Sequence, residues 1–428
     1  MLQNVSVEVQ TLYPYVFYQK GYFRTKLNGD SSTIINITDL QTMVDNMPDN
    51  GTLVFCETYT ISSNQTIEVK DKSINFVRYR LFKYSIDSSG NYSSTGDPMP
   101  MIAVDGVDAS LTLKGNIYFE GLAPYSGAWN FNVSYGNDYS HIKMYALIEV
   151  GKSGNGGSLT LGEGVVIRNW AVKIDTANVG LITIYANASA ELDGCEIYGN
   201  RIIVQDGLDS SVITNNGTLN IKSGKFMNNI LVDGSKYASN RTSVGVSATP
   251  FSKGGFLVCN TGSTTVIDGG EIYSNRAQYG GAIYVNTNAT LTLNGGQIYA
   301  NRGYTSGGAI YLEADTTMTV GSSCEISGNM SGGNSAIVFN DSTQATVTVV
   351  DASGTGVSGA SAMLMLNSID EQNQSFVNFA LIDGVETTVA SDQSVVNMTL
   401  LFSGLCLMFV CIVARRFHIK KQRKFSKK

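Results

Sequence analysis

Apolar and polar residues alternate in a series of short stretches that recur along most of the chain. In the stretch from 290 to 301, Leu291 and Leu293 fall on one side, whereas Thr290 and Thr292 fall on the other. A period of two predicts β-strands, because successive side chains of a strand point to opposite faces. The inward pair returns often enough to count eight coils of one repeating unit. The other pairs are Leu111/Leu113, Leu159/Leu161, Ala190/Leu192, Leu219/Ile221, Thr265/Ile267, Met318/Val320 and Val347/Val349.

A second phrase marks the same period. Gly-Gly-Ala-Ile-Tyr occurs at 280–284 and again at 307–311, 27 residues later, and related phrases begin at Gly254 and Ser335. A fixed period of this length predicts stacked units. Glycine pairs supply backbone conformations that other residues avoid, so a tight turn is expected at each pair. These turn glycines are Gly254, Gly255, Gly280, Gly281, Gly307 and Gly308.

The period and the alternation together predict an all-β fold, a right-handed parallel β-helix. A leucine-rich repeat would need asparagine where Gly270 and Gly296 stand, and propeller blades need a longer period. In a β-helix each coil pairs with its neighbours, and the inward residues stack into one core. The stretch Leu40–Asn46 has helical spacing and ends before Pro48, so a short helix is expected to cap the open N-terminal end.

A recurring asparagine closes most repeats and is predicted to form a structural ladder. Asparagine tolerates left-handed backbone conformations, and stacked copies can hydrogen-bond to each other. The predicted ladder contains Asn169, Asn200, Asn229, Asn275, Asn301 and Asn329.

The residue before the inward isoleucine or phenylalanine offers a test of the stacking. If the coils stack, these residues are neighbours in adjacent strands, where like charges destabilise the pairing. In the sequence, a lysine or a glutamine separates each acidic residue of this column from the next. The long spacing between Lys225 and Glu271 also allows an extra coil around Cys259. The predicted column is Glu196, Lys225, Glu271, Gln297 and Glu325.

The end of the chain predicts a membrane anchor. The segment 395–414 has 20 residues without a charge, enough for one transmembrane helix. Residues 415–428 carry eight basic side chains and no acid, and the positive-inside rule places such a tail in the cytoplasm. The net charge of −6 therefore leaves the rest of the chain clearly acidic, which disfavours a nucleic-acid partner. The expected location is the plasma membrane, with the repeats outside.

These features divide the chain into five parts. Residues 1–32 form a poorly defined N-terminal segment, 33–359 the β-helical ectodomain and 360–394 a terminal coil or stalk. The transmembrane helix spans 395–414, and the cytoplasmic tail spans 415–428. Residues 1–32 contain no signal-peptide pattern, so the export signal is expected to lie upstream of Met1. The oligomeric state is left open.

Sequons for N-glycosylation agree with an extracellular ectodomain. Each Asn-X-Ser/Thr alone is weak evidence, but together they favour exposure to the secretory pathway. The candidate sites are Asn36, Asn64, Asn91, Asn132, Asn187, Asn216, Asn240, Asn288 and Asn340.

Two insertions interrupt the period, one at 120–145 and one near 230–253. In repeat proteins insertions form surface loops, often on the binding face. Aromatic side chains in the first could stack on sugars or anchor a protein partner; alternatively, the loop covers the side of the coil. The candidate ligand-binding residues are Tyr125, Trp129, Phe131, Tyr135 and Tyr139.

Enzymatic function is the alternative, as a membrane-tethered polysaccharide lyase or hydrolase of the pectate-lyase-like β-helix type. Such chemistry needs positioned carboxylates and, in lyases, calcium and a basic group. No acid pair recurs beside Arg or His in adjacent coils, and neither metal-ligand spacing nor a cofactor motif is present, so no catalytic residue, metal or cofactor is predicted. The acid pairs are Asp105/Asp108, Asp206/Asp209 and Asp370/Glu371.

Two cysteines test the coil count. Cys195 and Cys324 occupy the same slot of the repeat, so they are expected several coils apart and too distant for a disulfide.

These motifs resemble those of a known family. Gly-Gly-Ala-Ile at 280–283 and 307–310, with Phe226-Met-Asn-Asn229 between strands, resembles the repeats of polymorphic membrane proteins. The similarity covers about residues 110–340, and most of the phenylalanine positions hold isoleucine instead. With one helix and a basic tail at its end, the chain is similar to the single-span Pmp-like surface proteins of parasitic protists. The resemblance implies an adhesin or interaction scaffold that binds host cells, matrix or glycans.

Overall fold

The structure is a computed structural model that describes most of the repeat region. The described residues are 13–26, 33–78, 84–86, 92–94, 100–121, 146–174, 177–204, 208–233, 252–331, 337–339, 345–350 and 387–389. The predicted span 395–414, the tail 415–428 and almost all of the insertion 120–145 lie outside them. Among the described residues, no helix is both long enough and apolar enough to cross a bilayer.

Three sheets with parallel pairing between coils build an all-β solenoid. In coils 3–8 the chain passes from a short strand of sheet B to sheet A, then to a strand of sheet C, and returns to sheet B one step further along; in coils 1, 2 and 9 the described residues contain strands of sheets B and A only. Each lap is called a coil and is numbered by its sheet B strand. The sheet B strands of coils 1–9 are Tyr59–Ile61, Ile102–Val104, Ile148–Val150, Ile182–Ile184, Ile213–Asn215, Leu257–Cys259, Ile283–Val285, Ile310–Leu312 and Ile337–Phe339.

Sheet A is the widest of the three. Its strands are Tyr15–Gln19, Tyr22–Arg24, Gly51–Phe55, Asn64–Arg78, Ser110–Glu120, Ser158–Gly162, Val166–Arg168, Ser189–Tyr198, Thr218–Met227, Thr264–Ile267, Glu271–Tyr273, Thr290–Tyr299, Thr317–Ser327, Ala345–Val350 and Thr387–Val389. Sheet C contains Ala171–Ile174, Arg201–Val204, Ile230–Asp233, Arg276–Tyr279, Arg302–Ser306 and Met330–Ser331. Tyr84–Ile86 and Tyr92–Ser94 form a separate antiparallel pair.

The repeats stack in the predicted register. Leu291 pairs with Thr265 on one side and with Met318 on the other, and the remaining inward pairs align in the same column. Ile283 pairs with Ile310, so the two Gly-Gly-Ala-Ile-Tyr phrases lie directly over each other. The inward residues form one continuous core through the coils.

Backbone contacts explain why each phrase needs two glycines. Gly280 has a φ of +62°, and a Cβ at this position would lie 2.0 Å from the backbone oxygen of Ile283 in the same coil. A Cβ on Gly281 would lie 2.2 Å from the oxygen of Gly308, in the next coil. The first glycine therefore permits the turn, and the second permits close packing between coils.

The spacing around Cys259 does not reflect an extra coil. The strand Thr218–Met227 of coil 5 pairs directly with Thr264–Ile267 and Glu271–Tyr273 of coil 6. Cys259 belongs to the sheet B strand that leads into those two strands. The additional residues fall between Ile230–Asp233 and coil 6, where 234–251 lie outside the described residues.

A short helix covers the N-terminal end of the core, as its spacing predicts. The helix Leu40–Asp45 buries Leu40, Met43 and Val44, and Asp39 caps its start by accepting from the backbone nitrogen of Thr42 (2.7 Å). Lys72 closes the other end, because its Nζ donates to the carbonyl oxygens of Val44, Asp45 and Met47. These acceptors lie where a helix leaves carbonyl groups without partners.

Sheet A ends in an antiparallel strand on both sides. Tyr22–Arg24 pairs antiparallel with Tyr15–Gln19, inside the segment 1–32, for which the sequence predicts no defined element. At the other end, Thr387–Val389 pairs antiparallel with Ala345–Val350, which brings part of the predicted stalk back onto the solenoid. The rest of 360–394 lies outside the described residues.

Candidate functional site

A buried asparagine ladder follows the corner between sheets A and C. The side-chain oxygen of Asn275 accepts from both the backbone nitrogen and Nδ2 of Asn229, at 3.1 and 3.0 Å. Its own Nδ2 donates to Asn301 Oδ1 and to the carbonyl oxygen of Phe226. The same pattern links Asn200, Asn229, Asn275, Asn301 and Asn329, all of them buried. The ladder satisfies polar groups inside the solenoid, so its role is structural.

The prediction for Asn169 is wrong. This residue is half-buried and its Nδ2 donates to Glu120, while Trp170 occupies the ladder position in coil 3. The backbone nitrogen of Trp170 donates to Asn200 Oδ1, and its indole nitrogen donates to the oxygen of Phe119. In the sequence, Asn169 lies two residues after the inward Ile167, whereas the ladder asparagines lie three residues after theirs. That spacing is the signal that identifies Trp170.

The left-handed residue is the one before the ladder position, not the asparagine itself. Asn169, Asn228, Ser274 and Ala300 have φ values between +53° and +61°. Gly199 and Gly328 fill the same slot in their coils, both with a φ of +67°. The ladder asparagine is thus free to point inward, while its predecessor makes the turn.

A second asparagine stack, which the sequence analysis missed, lies at the corner between sheets B and A. Asn286 Nδ2 donates to Asn260 Oδ1 at 2.7 Å, and Asn260 Nδ2 donates to Asn216 Oδ1 at 2.8 Å. Asn216 in turn donates to the oxygen of Ile184. The signal was present, because each of the three follows directly after a sheet B strand.

A column of glycines crosses the middle of sheet A, and in coils 4–7 it forms the floor of a shallow groove. Its members have φ values from +80° to +127°, and they interrupt the alternation within a long strand or separate two shorter strands of the same coil. In coil 5, a Cβ on Gly224 would lie 2.4 Å from the oxygen of Cys195. The groove floor in coils 4–7 is therefore bare backbone. The column contains Gly115, Gly164, Gly194, Gly224, Gly270 and Gly296.

One bank of the groove is the predicted column of charged and amide side chains. Glu196, Lys225, Glu271, Gln297 and Glu325 are paired in register from coil 4 to coil 8. Gln297 Nε2 donates to Glu325 at 3.0 Å. Within the described part of the chain, the side chains of Glu196 and Lys225 have no hydrogen-bond partner. They therefore offer a free acceptor and a free donor on one bank.

Short polar side chains precede the glycines in the same strands, on the side away from Glu196 and Lys225, and they are called the opposite bank although they do not line the groove floor itself. Ser223 Oγ donates to Asp193 at 2.8 Å, and Asn294 Nδ2 donates to Asp268 at 2.7 Å. Further out, Lys222 forms an ion pair with Glu191 at 2.8 Å. Both banks therefore present carboxylate, amide and hydroxyl groups at the spacing of the coils.

Tyrosines stand beyond the first bank. Tyr273 and Tyr299 stack with their ring centroids 4.8 Å apart and their planes within 5° of parallel. The Tyr299 hydroxyl donates to Glu271 at 2.8 Å. Desolvation, together with this hydrogen bond to the carboxylate, raises the pKa of Tyr299 to about 12. Tyr299 therefore stays a neutral donor at physiological pH.

The acids of the groove do not converge on one point. Lys225 separates Glu196 from Glu271 in the stack, and Gln297 separates Glu271 from Glu325. Elsewhere, Asp105 accepts from Ser153 and Asp209 forms an ion pair with Lys253. Among the described residues, no group of three acidic, cysteine or histidine side chains could hold a metal ion.

A cluster of tyrosines lies on sheet B. Tyr284 stacks on Tyr311 at 5.1 Å, lies under Lys253 Nζ at 4.6 Å and donates to Glu313. Burial, followed by the bond to Glu313, raises the pKa of Tyr284. The ring is only 2% exposed, so it offers no face to a ligand.

The predicted sites that remain fall partly outside the described residues. The aromatic candidates Tyr125, Trp129, Phe131, Tyr135 and Tyr139 lie outside, as do Asn91, Asn132, Asn240 and Asn340. Asn36, Asn64, Asn187 and Asn288 are exposed, and Asn216 is half-buried. Cys195 and Cys324 are buried free thiols in coils 4 and 8, four coil steps or roughly 19 Å apart.

Comparison with known proteins finds no matching family model, no curated relative and no similar solved structure. The resemblance to polymorphic membrane proteins therefore stays a prediction that depends on the repeat motifs alone.

Proposed function

We propose that this chain is a single-pass cell-surface glycoprotein whose solenoid is an adhesin or interaction scaffold. Its architecture is a right-handed parallel β-helix of the Pmp-like kind, held outside the plasma membrane by 395–414 with the basic tail in the cytoplasm. The partners are host cells, matrix or glycans. The net negative charge of the ectodomain disfavours nucleic acid as a partner and is compatible with these three classes.

The placement of the sequons carries the proposal. Asn64, Asn187 and Asn288 are exposed; Asn187 and Asn288 lie on the turns that lead from sheet B into sheet A, and Asn64 is the first residue of a sheet A strand. Asn187 and Asn288 share a slot of the repeat, with φ values of +65° and +59°, so their side chains can leave the turn without disturbing a strand. Glycans at these positions would form a row along one edge of the solenoid.

One sequon provides an internal negative control. Asn329 lies in Asn329-Met-Ser331, but its side chain is 2% exposed and its Nδ2 donates to the oxygen of Ile298 at 2.8 Å. A glycan attached there during synthesis would prevent ladder formation, because the buried amide would carry a bulky polar group. Folded protein is therefore expected to lack a glycan at Asn329.

The test is expression of the full chain, with an added export signal, in a eukaryotic host. Protease added to intact cells is expected to digest the repeats and spare the tail. Glycopeptide analysis is expected to find glycans at Asn187 and Asn288, and none at Asn329. Repeats protected from external protease, or the complete absence of glycans, would overturn the proposed topology.

A further inference from the structure

We propose that the groove over the glycine column binds an extended polysaccharide without anionic groups, laid along the solenoid axis with one sugar ring per coil. This inference deepens the proposed function and rests on it for its biological setting. The floor consists of Gly194, Gly224, Gly270 and Gly296.

The dimensions of the groove favour a glycan over a peptide. Adjacent coils are about 4.8 Å apart, as paired strands are. This spacing is close to the length that one pyranose ring adds to an extended chain, so each ring would meet the same set of groups. An extended peptide repeats its side chains on one face only every 6.6 Å or so, which falls out of step with the coils.

The banks supply the hydrogen bonds that sugar hydroxyls require. Glu196 is a free acceptor and Lys225 a free donor one coil later, within the described part of the chain. Gln297 is exposed, and its amide offers both kinds of group. Across the floor, Asp193, Ser223, Asp268 and Asn294 repeat carboxylate, hydroxyl and amide groups in successive coils. Each ring would therefore find polar partners on both sides.

Charge decides which glycans are excluded. The two banks and the adjoining ion pair hold more acids than bases: Glu191, Asp193, Glu196, Asp268, Glu271 and Glu325 against Lys222 and Lys225. A sulfated or uronic-acid polymer would bring like charges together in the groove, which disfavours binding. Neutral and amino-substituted polymers meet no such opposition.

The experiment measures binding of defined oligosaccharides to the purified full chain by isothermal titration calorimetry. The probes are the pentamer of N-acetylglucosamine (neutral), the pentamer of glucosamine (cationic), a heparin oligosaccharide of similar length (anionic) and decalysine (a basic peptide). One or both of the first two pentamers are expected to bind. Their affinity is expected to rise with length and to level off at four or five rings, because the groove floor spans coils 4–7.

Matched variants locate the site. Glu196→Ala/Glu271→Ala removes two acceptors from one bank, and is expected to weaken binding about tenfold. Asp45→Ala/Asp108→Ala removes the same charge at two exposed positions away from the groove, and is expected to leave the affinity unchanged. Circular dichroism of each variant checks that the solenoid is folded.

Each other outcome overturns the inference. These outcomes are binding of heparin or decalysine in place of the two pentamers, no binding by any oligosaccharide, or equal affinities of the two double variants. Binding to purified protein does not depend on cell location. If no pentamer binds but the repeats are exposed on cells, the groove inference is refuted and the proposed function stands. If a pentamer binds but the repeats are protected from external protease, the proposed function is refuted and the groove inference stands.

Discussion

The backbone nitrogen of Trp170 donates to the side-chain oxygen of Asn200 over 3.1 Å, so the asparagine ladder begins at a tryptophan. The indole nitrogen then donates to the oxygen of Phe119 at 3.0 Å. Phe119 pairs with Ile167, whose own oxygen accepts from Asn200 Nδ2. The indole therefore replaces the asparagine amide as a donor, and its ring covers the end of the ladder.

Replacing Trp170 with phenylalanine tests this substitution of donors. Trp170→Phe keeps a buried ring but leaves the oxygen of Phe119 without its partner, so a loss of about 2 kcal/mol of unfolding free energy is expected. The measurement is the urea midpoint followed by circular dichroism. Tyr118→Phe, in the neighbouring outward position, is the control and is expected to cost less than about 0.5 kcal/mol. Equal losses would show that the indole bond contributes nothing.

The centre of the ladder is expected to be more sensitive than its end. Asn275→Ala removes an acceptor used twice by Asn229 and a donor used by Asn301 and Phe226, all in a buried setting. We expect a loss of about 3 kcal/mol, because several buried groups lose their partners at once. Thermal and urea unfolding give the value.

Asn294→Ala is the matched control for Asn275→Ala. The side chain is exposed and makes one bond, to Asp268, so its removal is expected to shift the urea midpoint little. A loss at Asn294 as large as that at Asn275 would mean that asparagine in general, and not the ladder, stabilises the coils.

Two glycine variants separate steric packing from backbone conformation. Gly281→Ala places a Cβ 2.2 Å from the oxygen of Gly308, a clash with backbone that cannot relax cheaply, and is expected to cost at least about 3 kcal/mol. Gly262→Ala has free space around the new Cβ but a φ of +77°, so it is expected to cost about 1 kcal/mol. The reverse order of the two urea midpoints would contradict this account of the glycine pairs.

Buried thiols predict a loss of stability at alkaline pH. Burial raises the pKa of Cys259 to about 12, above the value of about 8.5 for an unfolded thiol. The folded state thus binds more protons between these values, and its stability falls as the pH rises above about 8.5. The Cys259 thiol is expected to account for about 1.4 kcal/mol of the loss between pH 7.5 and 9.5.

Cys259→Ser isolates this contribution under reducing conditions. Serine does not titrate in this range, so the variant is expected to lose less stability than the parent chain over the same pH interval. The difference between the two slopes is the measured quantity, and other titrating groups cancel in it. Parallel slopes would mean that the Cys259 thiol titrates alike in the folded and unfolded states.

The stacking register could be predicted from the sequence because two independent periods agree. Alternation fixes which face of a strand is buried, and a one-residue slip would move Leu291 and Leu293 into solvent. The glycine pair at 280–281 repeats at 307–308 in the same phase. Local and long-range patterns thus indicate one register, and the column from Glu196 to Glu325 follows from it.

The candidate groove could not be predicted in the same way. Its glycines were visible in the sequence, at 270 and 296 for example, but glycine in a strand indicates a bulge, a bend or a close approach equally well. Only the stacking of Gly194, Gly224, Gly270 and Gly296 in coils 4–7 shows a continuous bare floor. The prediction for Asn169 is wrong for a different reason: the residue type matches the ladder, but Asn169 lies two residues after the inward Ile167 and not three.

The antiparallel strands Tyr22–Arg24 and Thr387–Val389 finish sheet A at both ends, while coils 2–8 each pair in parallel with the coil on either side in sheets A and B. A tandem duplication of one period inside the gene would therefore lengthen the rod without creating a new kind of junction. The length of such a solenoid can therefore change during evolution in steps of one coil, while the antiparallel strands at its two ends stay the same.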